Sequence, residues 1–573
     1  MTTSLVDAES VLAIEIGSIH TRALLFDLVD GQYRFIGAGR APTTIQSPFF
    51  DISEGIHLAI SNLQEITSRI LLEESRLILP GKPDGSGVDQ VVLTYTAGQP
   101  LRVVVMGLLE DVSLESARRL ASSAHTLITE SIGLNDRRPP EAQIDALLRA
   151  KPDLIILSGG TDQGASRSIA KNVDLLTFAL QIMPREKRPE IIYAGNQTLT
   201  TPVKDVLSTY TQVHVAPNLR PEIDVENLSP AQDVLAEAEF QIRSRQIGGL
   251  QSYRSILAVE PLSAPYAFAR MIRFLSRINN PAKGVMGVDL GAGNLIVATA
   301  FQGNSEVSVL PMGTGTGIAQ ALRVIPVSEI TRWLPIHIPD SVVEDYLWHK
   351  TLHPALLPTT AETVAIEQAA IRQILWNGLN QHRNRYANAP LLTEPILAAG
   401  MPLTQWSPQI SLMMLVDGLQ PYGITTFVQD AHGLTSALGI ISTNNTILPV
   451  QVIESNAYVN LATVITPLSN ARYGTSILKV KVEYEAGNQV SLEIRQGSVS
   501  ALPIQAGQTA KVHLQPLRPI TIDPTGKDTT RSFKVIGGVC GVIVDARGRP
   551  IPLPEDAARR RDMLKKWAAG FGA

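Results

Sequence analysis

Between Val11 and Gly31 the apolar positions come in two short runs, "VLAI" and "ALLF", separated by Glu15-Ile16-Gly17-Ser18-Ile19-His20-Thr21-Arg22 and closed by Asp30-Gly31. The pattern predicts two strands joined by a bend. From 57 to 78, "HLAISNLQEITSRILLEESRLI", apolar residues recur at helical spacing and predict an amphipathic helix. The turn-rich "LPGKPDGSG" (79–87) then marks a boundary.

The rhythm changes after residue 90. Apolar runs at 101–109, 153–160, 190–196 and 211–218 alternate with helical patterns at 114–124, 141–150 and 173–182. Such alternation predicts a parallel, Rossmann-like sheet, inserted as a domain over 91–225. After a helical passage, "KGVMGVDLGAGNLIVATAFQG" (283–303) repeats the opening pattern of strand, small-residue bend and strand. Two copies of one unit far apart in sequence predict a duplicated architecture. Helices over 340–387 lead to "PILAAGMPLTQ" (395–405) and "DAHGLTSALGIIS" (430–442). Beyond Leu448 short β-rich runs separated by turns predict an all-β domain, which ends in a basic helix over 554–570. The expected domains are therefore 1–90, 91–225, 226–448 and 449–573, with 1–90 and 226–448 forming one core.

Composition narrows the function. The 573 residues are 44% hydrophobic and 18% charged, with 49 Lys+Arg against 53 Asp+Glu. A net charge of -4 offers no global case for nucleic acid or an anionic membrane. The single cysteine, Cys540, excludes an intrachain disulfide framework and any all-cysteine metal site from this chain alone. No apolar run reaches the ~20 residues that span a bilayer, and the opening "MTTSLVDAES" does not read as a leader. A cytoplasmic protein is expected. There is no Gly-x-Ser-x-Gly elbow and no Gly-Lys-Ser/Thr phosphate loop.

The chemistry concentrates in the two bends. Gly and Ser/Thr let backbone N–H groups meet phosphate oxygens at close range. A carboxylate closing the first strand can hold Mg²⁺ through water, because Mg²⁺ dehydrates reluctantly. Glu15, Gly17, Ser18, Thr21 and Arg22 supply these parts once; Asp289, Gly291, Ala292, Gly293 and Asn294 supply them again. Glu15 and Asp289 are the expected metal contacts. A third piece, "LAAGMPL" (397–403), ends a strand at Ala399 and Gly400, where small residues suit an adenosine. An ordinary strand-to-helix turn has the same pattern.

This order of segments resembles the actin/sugar-kinase/DnaK-type ATPase superfamily. More narrowly, the chain is similar to the glutamate mutase MutL family over roughly 10–445. The resemblance rests on "EIGSIHTRALLFDL" (15–28), "TAGQPLRVVVMGLLEDVSLESARRLASSA" (96–124), "PDLIILSGGTDQG" (152–164), "IIYAGN" (191–196), "PNLRPEIDVENLSPAQDVL" (217–235), "VDLGAGNL" (288–295) and "LAAGMPL". It implies an α/β, two-lobed actin-like (ribonuclease H-like) fold with ATP and Mg²⁺ in the cleft. It also implies a reactivating or chaperone-like role beside a partner such as adenosylcobalamin-dependent glutamate mutase; departures from the family pattern leave weak ATPase activity at most as the expectation. Two departures matter. Glu15 stands where the superfamily has Asp, and the usual Asp-x-Gly-Gly-Ala-Thr-Thr-Asp reads Asp289-Leu-Gly-Ala-Gly-Asn-Leu-Ile296. A small-molecule kinase of the same fold and a scaffold with a degenerate nucleotide cleft are the alternatives.

Other motifs have plainer readings. "LSGGTDQG" (157–164) suits a ligand loop or a turn equally, and Asp162 suits a helix cap or a ligand contact. "DAHGLTSALG" departs from the cobalamin pattern Asp-x-His-x-x-Gly because Thr435 replaces the glycine, so Asp430 is expected to cap a helix. Asp417-Gly418 and Asp430, carboxylates near the adenosine segment, suit a ribose contact, but a solvated loop is the plainer reading. Arg559-Arg560-Arg561 with Lys565, Lys566 and Trp567 suits recruitment of an acidic partner or RNA, but on a terminal helix it reads more plainly as a solvated face with an aromatic anchor, and "HRNR" (382–385) reads the same way.

Overall fold

The opening run Val11–Ile16 (β1) is buried at every position, as an interior strand of a two-faced sheet must be. It pairs antiparallel with His20–Val29 (β2) and parallel with Gln90–Tyr95 (β4). Gln32–Pro42 (β3) flanks β2, and the short strand Leu262–Ser263 lies parallel to β4. The structure, a computed structural model, describes residues 9–526 and 531–573. The first eight residues, on which the reading of the chain start rests, lie outside these.

The chain divides into two compact units. One comprises Met1–Asp27, Ile36–Ala267 and Ser308–Pro311, the other Leu28–Phe35, Phe268–Val307 and Met312–Ala573. In the first, a core of Leu12, Ile14, Ile16, Leu25, Leu93 and Tyr95 packs against Ile56, Ile60 and Leu63 of the helix Ser53–Thr67. That helix is shorter than its 57–78 pattern. It stops because Ser68 turns left-handed at φ 57 and Gln64 Oε1 accepts the N–H groups of Leu71 (2.6 Å) and Leu72 (2.7 Å), which diverts the chain.

Inserted after β4 is a second sheet of Leu101–Met106 (β5), Thr126–Ile132 (β6), Leu154–Gly159 (β7), Glu190–Gly195 (β8) and Val213–Val215 (β9). All five run parallel in the order β9-β8-β7-β5-β6. Counted within the insert this is 2-1-3-4-5, a doubly wound order. Apolar cores cover both faces. The edge strand β6 has no counterpart in the sequence reading, because "TLITESI" at a sheet edge is half polar. Asp162 does not cap the next helix, Arg167–Ile182; its Oδ1 accepts from Gln197 N (3.1 Å) and Asn218 Nδ2 (2.9 Å), tying the glycine loop to the loops after β8 and β9.

The second unit repeats the topology of the first. Gly284–Leu290 (β10) pairs antiparallel with Leu295–Phe301 (β11) and parallel with Thr393–Ala399 (β13). Asn304–Leu310 (β12) lies beyond β11, and Gly423–Gln429 (β14) lies parallel beyond β13. The order β12-β11-β10-β13-β14 matches β3-β2-β1-β4-(262–263), with the same strand directions wherever they are defined. This is the ribonuclease H-like order occurring twice, which is the actin-like fold. The region after Leu448 divides. Val459–Thr466 (β15), Val542–Asp545 and Val499–Leu502 prolong the second sheet to eight strands, while 476–484, 489–495, 509–516 and 532–536 form a separate four-stranded sheet.

The C-terminal helix Ala557–Phe571 begins at Asp556, whose carboxylate accepts from Arg559 N at 2.7 Å. Trp567 is buried and donates from Nε1 to Gly497 O at 2.9 Å, while Arg559, Lys565 and Lys566 are exposed. Among the described residues, no helix is long and apolar enough to cross a membrane.

Two buried histidines make the fold acid-sensitive. His382, on the helix Ala361–Arg385, lies 2.9 Å from Thr299 Oγ1, and burial moves its pKa from 6.5 down to about 3. His125 falls to about 3 by burial and the nearby Arg243. Unfolded imidazoles bind protons near 6.5, whereas these rings refuse them until about pH 3. The unfolded chain thus holds more protons across that window, and stability falls as pH drops through it. The urea midpoint is expected to decline from pH 6.5 downward, and less steeply in His382→Gln.

Candidate functional site

The first bend is closed by Gly17 N donating to His20 O at 3.0 Å; a Cβ on Gly17 would stand 2.7 Å from that oxygen. Ser18 is half-buried at its tip. Thr43, just beyond β3, braces the bend, donating from N to Ile19 O (2.8 Å) and from Oγ1 to Gly17 O (2.8 Å).

Glu15 and Arg22 are cross-strand partners on one face of the sheet. Arg22 Nη2 donates to Glu15 Oε1 at 2.8 Å, and Glu15 Oε2 is buried with no hydrogen-bond partner. Thr21 alternates to the opposite face. It is fully buried, with Oγ1 3.0 Å from Thr43 Oγ1, so the structure uses Thr21 to brace the bend rather than to line it.

The face holding Glu15 carries more positive charge than the sequence suggested. Arg40, on β3, places Nη2 2.8 Å from His20 Nδ1. Burial, then Arg40, then Arg22 move the His20 pKa from 6.5 down to about 4, so the ring is neutral at pH 7. Burial and Arg22 likewise lower the pKa of Arg40. Arg22 sits on Glu15 and Arg40 on His20, and Arg22 is close enough to lower the pKa of Arg40, a concentration of positive charge that favours an incoming anion. Arg40 lies 18 residues beyond Arg22 with no shared motif, and only strand pairing reveals it.

The second bend has Gly291 N donating to Asn294 O at 2.9 Å. Asn294 is buried, and its Nδ2 has no hydrogen-bond partner, which leaves a donor suited to a phosphate oxygen. Asp289 is half-buried on β10, opposite Ile296 on β11 and Ala399 on β13. Leu295 and Ile296 are buried apolar side chains. Of the three positions that depart from the family's Thr-Thr-Asp, only Asn294 offers a polar group.

Gly400 brings the third segment against the second. Its φ is +92, and a Cβ there would lie 2.1 Å from Leu290 O and 2.6 Å from Asp289 Oδ1. Only a glycine leaves Asp289 that space. A fourth element escaped the sequence reading: the loop "GTGTG" (313–317) folds onto the bend. Thr314 N donates to Gly291 O (3.1 Å), while Gly315 N and Gly317 N both donate to Ala292 O (2.9 Å each). Alternating glycines opening a helix were the available signal. Ala292 and Gly293 therefore lie under this loop, half-buried.

Two nearby carboxylates have structural tasks. Asp430 accepts from Gly433 N, Leu434 N and Thr435 N at 2.8 Å each and from Thr435 Oγ1 at 2.6 Å, the helix cap expected of it. Asp417, expected on a solvated loop, is buried in the helix Pro408–Leu419 between Arg372 and Arg547.

Among the described residues, no three His, Cys, Asp or Glu side chains cluster closely enough to hold a metal ion. A hydrated Mg²⁺, which keeps most of its waters and takes only one or two carboxylates plus phosphate, is the ion these residues fit. The unpartnered Glu15 Oε2 could accept from a metal-bound water.

The family model described as MutL protein matches residues 11–457. The chain belongs to the MutL family. A curated relative, Protein MutL of Clostridium tetanomorphum, is 22% identical over 394 residues, covering 65% of this chain and 79% of the relative. Similar solved structures include nucleotide-free acetone carboxylase (12% identity, TM-score 0.32, 85% of this chain and 81% of that one). Nucleotide-free diol dehydratase-reactivating factor is another (10%, TM-score 0.29, 78% and 99%), as is a glycerol dehydratase reactivase (12%, TM-score 0.30, 76% and 99%). In this MutL-family chain the strand order, rather than those overlaps, defines the fold.

Proposed function

We propose that this MutL-family chain binds Mg-ATP and acts as a nucleotide-gated, chaperone-like factor for a partner enzyme. A cobalamin-dependent mutase such as glutamate mutase is the first partner to test. The observation that carries the nucleotide reading is the pair of buried, unpartnered polar atoms, Glu15 Oε2 and Asn294 Nδ2, one at each bend of a duplicated sheet. An uncompensated buried polar group costs about 1–3 kcal/mol; a phosphate oxygen is the acceptor that Asn294 Nδ2 needs, and a water of hydrated Mg²⁺ is a donor of the kind that Glu15 Oε2 needs.

Arg22 and Arg40 favour the anion, and the glycine bends admit it. Glu15 and Asp289, each at its own bend, are carboxylates of the kind that accept from the waters of a hydrated Mg²⁺, which when bound screens the phosphate charge. Turnover is expected to be slow, since Leu295 and Ile296 provide no polar group beside Asn294. Gating of a partner then requires that nucleotide bind the partner-competent state more tightly than the other.

Calorimetry with Mg-ATP on the intact chain, beside Asp289→Ala, tests the reading. Saturable binding that the substitution abolishes supports it and justifies an ATP-dependent partner capture. If both proteins are folded and neither binds, the nucleotide-gated factor is excluded and a scaffold remains.

A further inference from the structure

The helix Asp340–Leu352 has a pinned inner face and an unoccupied outer one. Inside, Lys350 is buried, with Nζ 2.5 Å from Glu367 Oε1, and Tyr346 Oη donates to the same oxygen at 2.8 Å. These two residues, four apart, fix the last turns against the helix Ala361–Arg385. Outside are His349 and His353, also four apart and both exposed. His353 N donates to His349 O at 3.0 Å, so the helical spacing persists through the cap. The two ring centroids are 4.7 Å apart. Among the described residues neither ring makes a hydrogen bond.

We propose that His349 and His353 form a two-histidine chelate for a divalent transition ion, with Zn²⁺ the prime occupant and water completing its shell. Histidines at i and i+4 on a helix place two imidazole nitrogens where one ion can take both, and neutral imidazole is a good ligand for Zn²⁺, Ni²⁺ and Cu²⁺ alike. The location adds to this. His353 is the C-cap residue, where the helix dipole and its last carbonyls favour a cation. The inner anchors spare the chelate part of the entropy of ordering the turn. Hard Mg²⁺ prefers oxygen ligands, so this position does not compete for the ion of the nucleotide reading and does not depend on that reading.

The test is a Zn²⁺ titration of the full chain by calorimetry in excess Mg²⁺, which saturates carboxylate sites. The wild type should bind one equivalent. His349→Gln and His353→Gln should each weaken it at least about tenfold, and the double variant little further, because either loss destroys the chelate. Zn²⁺ should raise the thermal midpoint of the wild type and not of the double variant, whose unchanged circular dichroism verifies folding. His57→Gln, a histidine on the helix Ser53–Thr67, serves as a control and should leave binding intact. Absence of Zn²⁺ binding by the wild type, or equal affinity in the double variant, overturns the proposal.

Discussion

Arg547→Met is expected to destabilise the second unit by about 3–5 kcal/mol, the cost of breaking a buried ion pair from one side. Arg547 is fully buried and saturates two carboxylates: Nε and Nη2 donate to Asp545 at 2.8 and 2.9 Å, and Nη1 donates to Asp417 at 2.7 Å. Arg372 holds the other oxygen of Asp417 at 2.8 Å, and Arg549 reaches Asp545 at 2.9 Å. Burial alone would raise the pKa of Asp545, but Arg547 and Arg549 overcome it and hold that carboxyl well below the usual range. The rings of Trp567 and Phe571 lie 5.0 and 5.5 Å from the guanidinium carbon. One side chain thus ties the strand Val542–Asp545 to the C-terminal helix and to Pro408–Leu419. Methionine keeps much of the volume and leaves Asp417 and Asp545 short of donors. Urea unfolding followed by circular dichroism measures the loss. Adding Asp545→Asn and Asp417→Asn should recover part of it, because the unpaired charges rather than the missing volume dominate. A loss under about 1 kcal/mol, the scale of an exposed pair, would contradict this account.

Gly400→Ala is expected to weaken Mg-ATP binding about a hundredfold, the effect of a misplacement near 1 Å at a site of defined geometry. Two costs combine. A left-handed φ of +92 is strained for any residue with a side chain, and the new methyl would overlap Leu290 O at 2.1 Å and Asp289 Oδ1 at 2.6 Å. The strands β10 and β13 must part, and Asp289 moves with them. Gly474→Ala separates the two costs: its φ is +84, but nothing lies within 4 Å of the added carbon. It should lose some stability and keep its nucleotide affinity. If Gly400→Ala binds Mg-ATP like the wild type, Gly400 and Asp289 do not belong to the nucleotide contact.

Much of this was legible along the chain. Glu15–Arg22 and Asp289–Asn294 were readable as bends because apolar runs on either side leave the polar and small residues conspicuous. The parallel insert was readable from its strand–helix rhythm, and Asp430 from its place before a helix. Other features were not. Thr21 was grouped with Arg22, yet the two point to opposite faces, since side chains alternate along a strand. Asp417 looked solvated because nothing local to it announces Arg372 or Arg547, 45 residues before and 130 residues after it. The helix pattern of 57–78 continued through Ser68, where a left-handed turn and the Gln64 side chain end the helix.

The sequence by itself determined the local units: which segments are strands or helices, where glycine must bend the chain, and that one supersecondary unit occurs twice. These follow from periodicity and backbone sterics, which act over a few residues. Only the tertiary structure decided which strands are neighbours. That pairing added strands of the C-terminal region to the second sheet, set Arg40 beside His20, laid the 313–317 loop on the Asp289 bend and buried Asp417 between two arginines. Such choices depend on burial and charge pairing between residues tens to hundreds of positions apart, and no local pattern encodes the partner of a residue at that distance.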